Sequence, residues 1–162
     1  MRLAAPFPFC LNERIVMSHA MPLQVRIKKL VPEAVVPAYA SPGDAGLDLT
    51  ATSAEFDAAT RKLKIGFGLA AEIPPGHVGL LFPRSSVHKT GLTLSNGVGV
   101  IDSGYRGEIR AVFYVPEGAK PYAVGDRCAQ LVVMPFPQVQ IVEADALSET
   151  ERGVGGFGST GA

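Results

Sequence analysis

The sequence predicts an all-β domain, a sandwich or a barrel. Three observations carry that expectation. Apolar residues alternate with polar ones in short runs, as in strands that bury one face. The runs are bounded by Pro, Gly or Asp, the residues that turn a chain. Long stretches with helical spacing are missing. At 162 residues the chain suits one domain with a proper core. No internal repeat and no interdomain linker interrupts it.

Residues 1–22 read as an irregular extension. The regular pattern starts with Leu23, Val25 and Ile27. It continues through Leu47 and Leu49, then Leu63, Ile65, Phe67 and Leu69, then Val78, Leu80 and Phe82. Ile109, Ala111, Phe113 and Val115 follow, and finally Val139 and Ile141. Turns fall at Ser41-Pro-Gly-Asp44, Pro74-Pro-Gly76, Pro116-Glu-Gly118 and Val124-Gly-Asp126. One short helix is expected near Ser85–Thr90. The β domain is expected over residues 23–144, and residues 145–162 lead out as an arm.

Composition narrows the function. Fifteen basic and fifteen acidic residues cancel, which argues against broad binding to nucleic acid or membrane surfaces. A hydrophobic content of 47% rules out wholesale disorder. No apolar run is long enough to span a membrane. Pro6 and Pro8 spoil the first residues as a signal peptide. Cys10 and Cys128 are too few for a disulfide framework or a zinc site, so a reducing, cytoplasmic setting is expected. His19, His77 and His88 lie too far apart to ligate a metal together.

The end of the chain is the most informative stretch. Arg152-Gly-Val-Gly-Gly-Phe-Gly-Ser-Thr-Gly-Ala162 carries five glycines, two hydroxyls, one guanidinium and one ring. Gly158 and its fellow glycines can turn backbone N–H groups onto an oxyanion. Ser159 and Thr160 add donors, and Arg152 adds a charged fork. Phe157 offers a flat face to a base. These features suggest a flexible tail that closes over a nucleotide. The dinucleotide and Walker-type glycine patterns need a helix behind the loop, and only Gly161 and Ala162 remain. The plain alternative is a glycine-rich tail without a role.

Four further segments place polar groups in apolar β patterns. In Ala45-Gly-Leu-Asp-Leu-Thr50, Asp48 points away from Leu47 and Leu49 and could hold a water of a magnesium shell; otherwise it is an ordinary surface carboxylate. In Phe82-Pro-Arg-Ser-Ser86, Arg84, Ser85 and Ser86 make a compact anion site, or one serine caps the following helix. Lys89 reads as a solvated charge. In the run from Asn96 to Ile109, Asn96-Gly97 signals a hairpin. Asp102 falls at a strand end, where it could act as a base toward water or form an Asx turn. Tyr105 could lie on a sugar or belong to the core. In Gly125-Asp-Arg-Cys-Ala-Gln-Leu131, Gln130 is an amide in search of partners, and Asp126 with Arg127 suggests a local ion pair.

Together and in this order, AGLDLTA, PRSS, NGVGVIDSGYRGEI, GDRCAQL and RGVGGFGSTG resemble the five motifs of the trimeric dUTP pyrophosphatases, the dUTPases. The resemblance runs from about Leu23 to Gly161. It implies a jelly-roll-like β-barrel, a homotrimer, and active sites shared by three chains. It implies hydrolysis of dUTP to dUMP and pyrophosphate with Mg2+, by water attack on the α-phosphorus. Asp102 would orient that water. Asp48 would sit near the metal, through water, the main ligands being the substrate phosphates. Arg84, Ser85 and Gln130 would bind phosphate, with Ser86 at a position where many members have Gly. Asn96 would contact uracil beside the hairpin, with Gly99, whose backbone reads the base edge. Tyr105 would pack on the deoxyribose and exclude a 2′-hydroxyl. Arg152, Phe157, Gly158, Ser159 and Thr160 would form the closing arm. Arg-Ser-Ser also resembles the sister dCTP deaminases, but Tyr105-Arg106-Gly107 lacks that family's proton-shuttling glutamate. A regulatory nucleotide-binding trimer without turnover is the other alternative.

Overall fold

Alternating burial along the chain produces antiparallel sheets. The computed structural model describes residues 23–156. In chain order the strands are β1 (Arg26–Lys29), β2 (Leu47–Thr50), β3 (Ser53–Asp57), β4 (Lys62–Gly66) and β5 (Leu69–Glu72). They continue as β6 (His77–Pro83), β7 (Thr93–Leu94), β8 (Gly99–Ile101), β9 (Arg110–Tyr114) and β10 (Arg127–Pro135). A single-turn 3-10 helix, Ser85–Lys89, follows β6 where a short helix was expected. The strands form one sheet in the order β2-β10-β6-β8, a second in the order β3-β4-β9-β7, and a small pair β1-β5. The all-β expectation holds.

The core lies between the inner faces. Leu49, Leu63, Ile65, Phe67, Phe113 and Leu131 are at most 2% exposed. Burying each such side chain contributes about 1.5–3 kcal/mol. Ile109, Ala111, Phe113 and Val115 are all buried, as their alternation predicts. Cys128 is a free thiol inside this core, and burial pushes its pKa up to about 12. It therefore stays protonated and unreactive at neutral pH.

Two expectations change. In β6 it is Gly79 and Leu81 that face the core, while Val78, Leu80 and Phe82 stay half-buried on the outer face. A Cβ at Gly79 would meet Ile73 Cδ1 at 2.6 Å and Leu131 Cδ1 at 3.2 Å. The inner face has no room there for a side chain, so the apolar alternation marks the outer face instead. Val78 pairs with Met134, and Leu80 lies between Val132 and Val100, which makes that outer face apolar. The second change concerns Val139 and Ile141. They join no strand of this chain and are 74% and 86% exposed.

The β3–β4 turn shows how polar groups direct the chain. The Asp57 carboxylate accepts the Ala59 N–H at 2.9 Å and the Thr60 hydroxyl at 2.7 Å. Arg61 follows with a positive φ of 52°. That conformation is unusual for a side-chain-bearing residue. It is held by Arg61 Nε donating to the Val115 carbonyl at 2.9 Å and by the Val115 N–H returning a bond to the Arg61 carbonyl at 2.9 Å.

Candidate active site

One half of the site forms where β6 stops. Arg84 is extended and precedes the 3-10 helix without a side-chain cap. The serines therefore do not cap the helix, and their hydroxyls make no hydrogen bond among the described residues. Register places Asp48 on β2 opposite Gln130 on β10, and Gln130 opposite Phe82 on β6. Asp48, Arg84, Ser85 and Gln130 line one cleft of about 330 Å³.

The Asp48 carboxylate, 15% exposed, is shared by two arginines: Arg84 Nε at 2.8 Å and Arg127 Nη1 at 3.0 Å. The expected Asp126–Arg127 pair is not formed. Asp126 instead accepts the Ala123 N–H at 2.9 Å, and the turn it closes leaves Arg127 free to cross to β2. Two cations on one carboxylate leave an excess positive charge facing the cleft, suited to an anion. Gln130 donates to the Pro83 carbonyl at 3.3 Å. A Cβ at Gly46 would run into the Gln130 amide, approaching its Cδ to 3.0 Å. Gly46 is thus the floor that lets the amide lie flat.

The other half is a cleft of about 260 Å³ that gathers Asn96, Gly99, Asp102 and Tyr105. Asn96-Gly97 makes the expected turn, with Gly97 at φ 68°. Gly99 packs over Leu81, whose Cβ would lie 3.1 Å from an added Cβ. After β8 the chain turns through Asp102–Tyr105, closed by the Tyr105 N–H donating to the Asp102 carbonyl at 3.0 Å. A backbone bond closes this turn, not an Asx bond. The exposed Asp102 carboxylate makes no hydrogen bond among the described residues. Tyr105 is 46% exposed and so is no core residue. Its hydroxyl donates to the Glu108 carbonyl at 3.0 Å. Its ring lies over Gly107, where a Cβ would stand 2.6 and 2.9 Å from ring carbons. Glu108 in turn accepts the Gly68 N–H at 3.0 Å.

The two halves lie at opposite ends of β6. Gly79 pairs with Ile101, so Asp102 falls opposite Val78, six residues from Arg84. At a strand rise of about 3.3 Å per residue, Asp102 and Arg84 are about 20 Å apart along the sheet.

The family model described as dUTPase matches residues 32–161. The chain belongs to the dUTPase family. It is 46% identical to the deoxyuridine 5'-triphosphate nucleotidohydrolase of Methylocella silvestris, over 87% of this chain and 93% of the relative. It is 49% identical to the Desulfitobacterium hafniense protein of the same name, over 78% of this chain and 87% of the relative. Among solved structures it resembles the dUTPase of Staphylococcus bacteriophage 80alpha with dUPNHPP. The TM-score is 0.74 at 26% identity, over 86% of this chain and 99% of that one.

Other residues of this dUTPase fall outside the two halves. Ser86 opens instead on a cleft of about 470 Å³ with Lys89, Lys120 and Arg127, on the far side of Arg84. Arg152 is exposed and donates to the Gly155 carbonyl of its own turn at 2.9 Å. It lines neither half. Phe157, Gly158, Ser159 and Thr160 lie outside the described residues. No cluster of three or more His, Cys, Asp or Glu is placed to hold a metal among the described residues. In the phosphate-side cleft Asp48 is joined only by Asp44, which accepts the Ser41 N–H at 2.8 Å. Such a sparse donor set fits Mg2+ held mainly by phosphate oxygens, with a carboxylate reaching it through water. No helix of the described residues is long and apolar enough to cross a membrane.

Proposed function

We propose that this dUTPase hydrolyses dUTP to dUMP and pyrophosphate in sites completed between copies of the chain. The names of the relatives support the substrate. The single observation that carries the shared site is the distance of about 20 Å along β6 between Asp102 and the Arg84 cluster. A base acting at the α-phosphorus and a guanidinium on the same triphosphate must lie far closer than that. Asp102 of one copy would therefore face Arg84, Ser85 and Gln130 of another.

In this reading Asp102 accepts a proton from water as it attacks the α-phosphorus. Its free oxygens suit that task. Asn96 and the backbone around Gly99 bind the uracil edge, and the Tyr105 ring fills the space a 2′-hydroxyl needs. Arg84, Ser85, Ser86 and Gln130 hold the phosphates, and Asp48 keeps the Arg84 guanidinium aimed. Bound Mg2+ supplies Lewis-acid charge neutralisation at the phosphate oxygens, with Asp48 as its water-mediated protein contact. Arg152, Phe157, Gly158, Ser159 and Thr160 close the site as an arm.

The assembly is read as a homotrimer. Its support is the apolar outer face of β6, β8 and β10, and the stretch around Val139 and Ile141, which has strand-like alternation but no partner in its own chain. A cytoplasmic setting belongs to the same reading, and the free thiol of Cys128 suits a reducing compartment. Product analysis with dUTP, dCTP and dTTP plus magnesium tests the reaction. dUMP and pyrophosphate from dUTP alone are expected. Release of ammonia from dCTP would instead establish the deaminase alternative, in which Arg106 occupies the place of that family's glutamate.

A further inference from the structure

We infer that Arg106 is a positioning residue for both Asp102 and Tyr105, acting through the backbone of the turn they flank. This rests on the roles proposed above for those two residues. One nitrogen of the guanidinium, Nη1, donates to the Ser103 carbonyl at 2.6 Å and to the Tyr105 carbonyl at 2.9 Å. The Asp102 carbonyl is already bound by the Tyr105 N–H. Arg106 thus engages two carbonyls that the turn itself leaves open. The second nitrogen, Nη2, lies 4.0 Å from Glu72 Oε1 at the end of β5. Glu72 Oε2 is paired with Arg26 of β1 at 2.5 Å.

A chain of contacts therefore runs from the β1–β5 pair to the turn. Its geometry separates it from an ordinary surface ion pair, which contributes little. The bonds end on backbone atoms between the base and the sugar platform, and they make a fork only a planar guanidinium can present. On the opposite side the turn is fixed by Tyr105 to Glu108 and by Glu108 to Gly68. Arg106 is the restraint on the Asp102 side. Without it, the turn keeps its single closing bond and can rotate, carrying the carboxylate and the ring together. The substrate would still bind through phosphate and base contacts, yet be misaligned.

The test compares Arg106→Ala, Arg106→Lys and Glu72→Gln with wild type in the full-length enzyme, using dUTP and UTP as substrates. For Arg106→Ala a loss of about ten- to a hundred-fold in kcat is expected, because small displacements of aligned groups are costly. KM for dUTP should change by about two-fold or less, and the dUTP-to-UTP ratio of kcat/KM should narrow. Arg106→Lys, which can reach only one carbonyl at a time, should fall between. Glu72→Gln should shift the same parameters in the same direction, and add nothing in the Arg106→Ala background. Melting temperature is recorded alongside. The inference is overturned if kcat and the discrimination ratio of Arg106→Ala stay at wild-type values, or if only the melting temperature moves. Should Arg106→Ala not fold, wild-type kcat and discrimination in Arg106→Lys would equally overturn it. Asp102→Asn is measured in parallel. Full turnover by that variant would sink the underlying assignment, whereas an inactive Asp102→Asn beside normal Arg106 variants sinks the Arg106 inference alone.

Discussion

The Asp102 side chain hangs free because the Tyr105 N–H, donating to the Asp102 carbonyl, does the work of closing the turn. Asp102→Asn keeps that turn and the shape of the group but cannot accept a proton. Turnover should fall by about 10²–10⁴ with dUTP binding little changed; steady-state kinetics and equilibrium binding measure the two separately. Gly107→Ala addresses the neighbouring ring. The added methyl stands too close to Tyr105, and the ring end is the part that can move. The variant should fold, and its preference for dUTP over UTP should narrow by about ten-fold or more, since a steric exclusion is removed; competition between the two substrates reads this directly. The sequence showed which residue types matter but not how they are joined. Arg84 and Asp48 were legible singly, as an anion site and a carboxylate on an outward-facing position. The Arg127–Asp48 bond was not, because it spans 79 positions and only the β2–β10 register brings its ends together. The partner suggested by proximity, Asp126, is taken by a backbone N–H.

Strand by strand, alternation predicted burial well where the inner face carries large side chains, as in β4 and β9. It misassigned the faces of β6 because Gly79, the inward residue, is small and its space is filled from Ile73 and Leu131. Short β3 and β7 offered too few residues for a pattern to show. The β3–β4 turn carries a pH dependence of its own. The Thr60 hydroxyl, with the Ala59 and Thr60 N–H groups, holds the Asp57 carboxyl below the usual carboxylate range. A folded pKa below the unfolded one favours the fold above the unfolded value, near about pH 4, and that contribution disappears as pH falls through the folded value. Wild type should melt higher than Asp57→Asn at neutral pH, and the gap should close on acidification. Melting curves from neutral pH down to about pH 3 check this, and a gap that is constant with pH would contradict it.

For the whole molecule, the decisive prediction concerns mixing. Asp102→Asn and Arg84→Ala should each be nearly inactive alone. Dissociated and reassembled together at equal amounts, they should regain activity in roughly a quarter of the sites, as random placement around a symmetric ring gives. A double variant mixed with itself should regain nothing. No recovery on mixing would return both groups to one chain. The fold class was legible in the sequence, and five motifs in order pointed to the family, but the spacing of the motifs in space was not. It follows from the pairing of β8 against β6, which no local pattern encodes. That pairing has a consequence for how the enzyme behaves in a test tube. If reacting groups from separate copies make each centre, an isolated chain holds all the parts and performs no chemistry. Specific activity then becomes a gauge of association: it should decline on dilution, lag after rapid dilution by the time the copies take to part, and return on concentration.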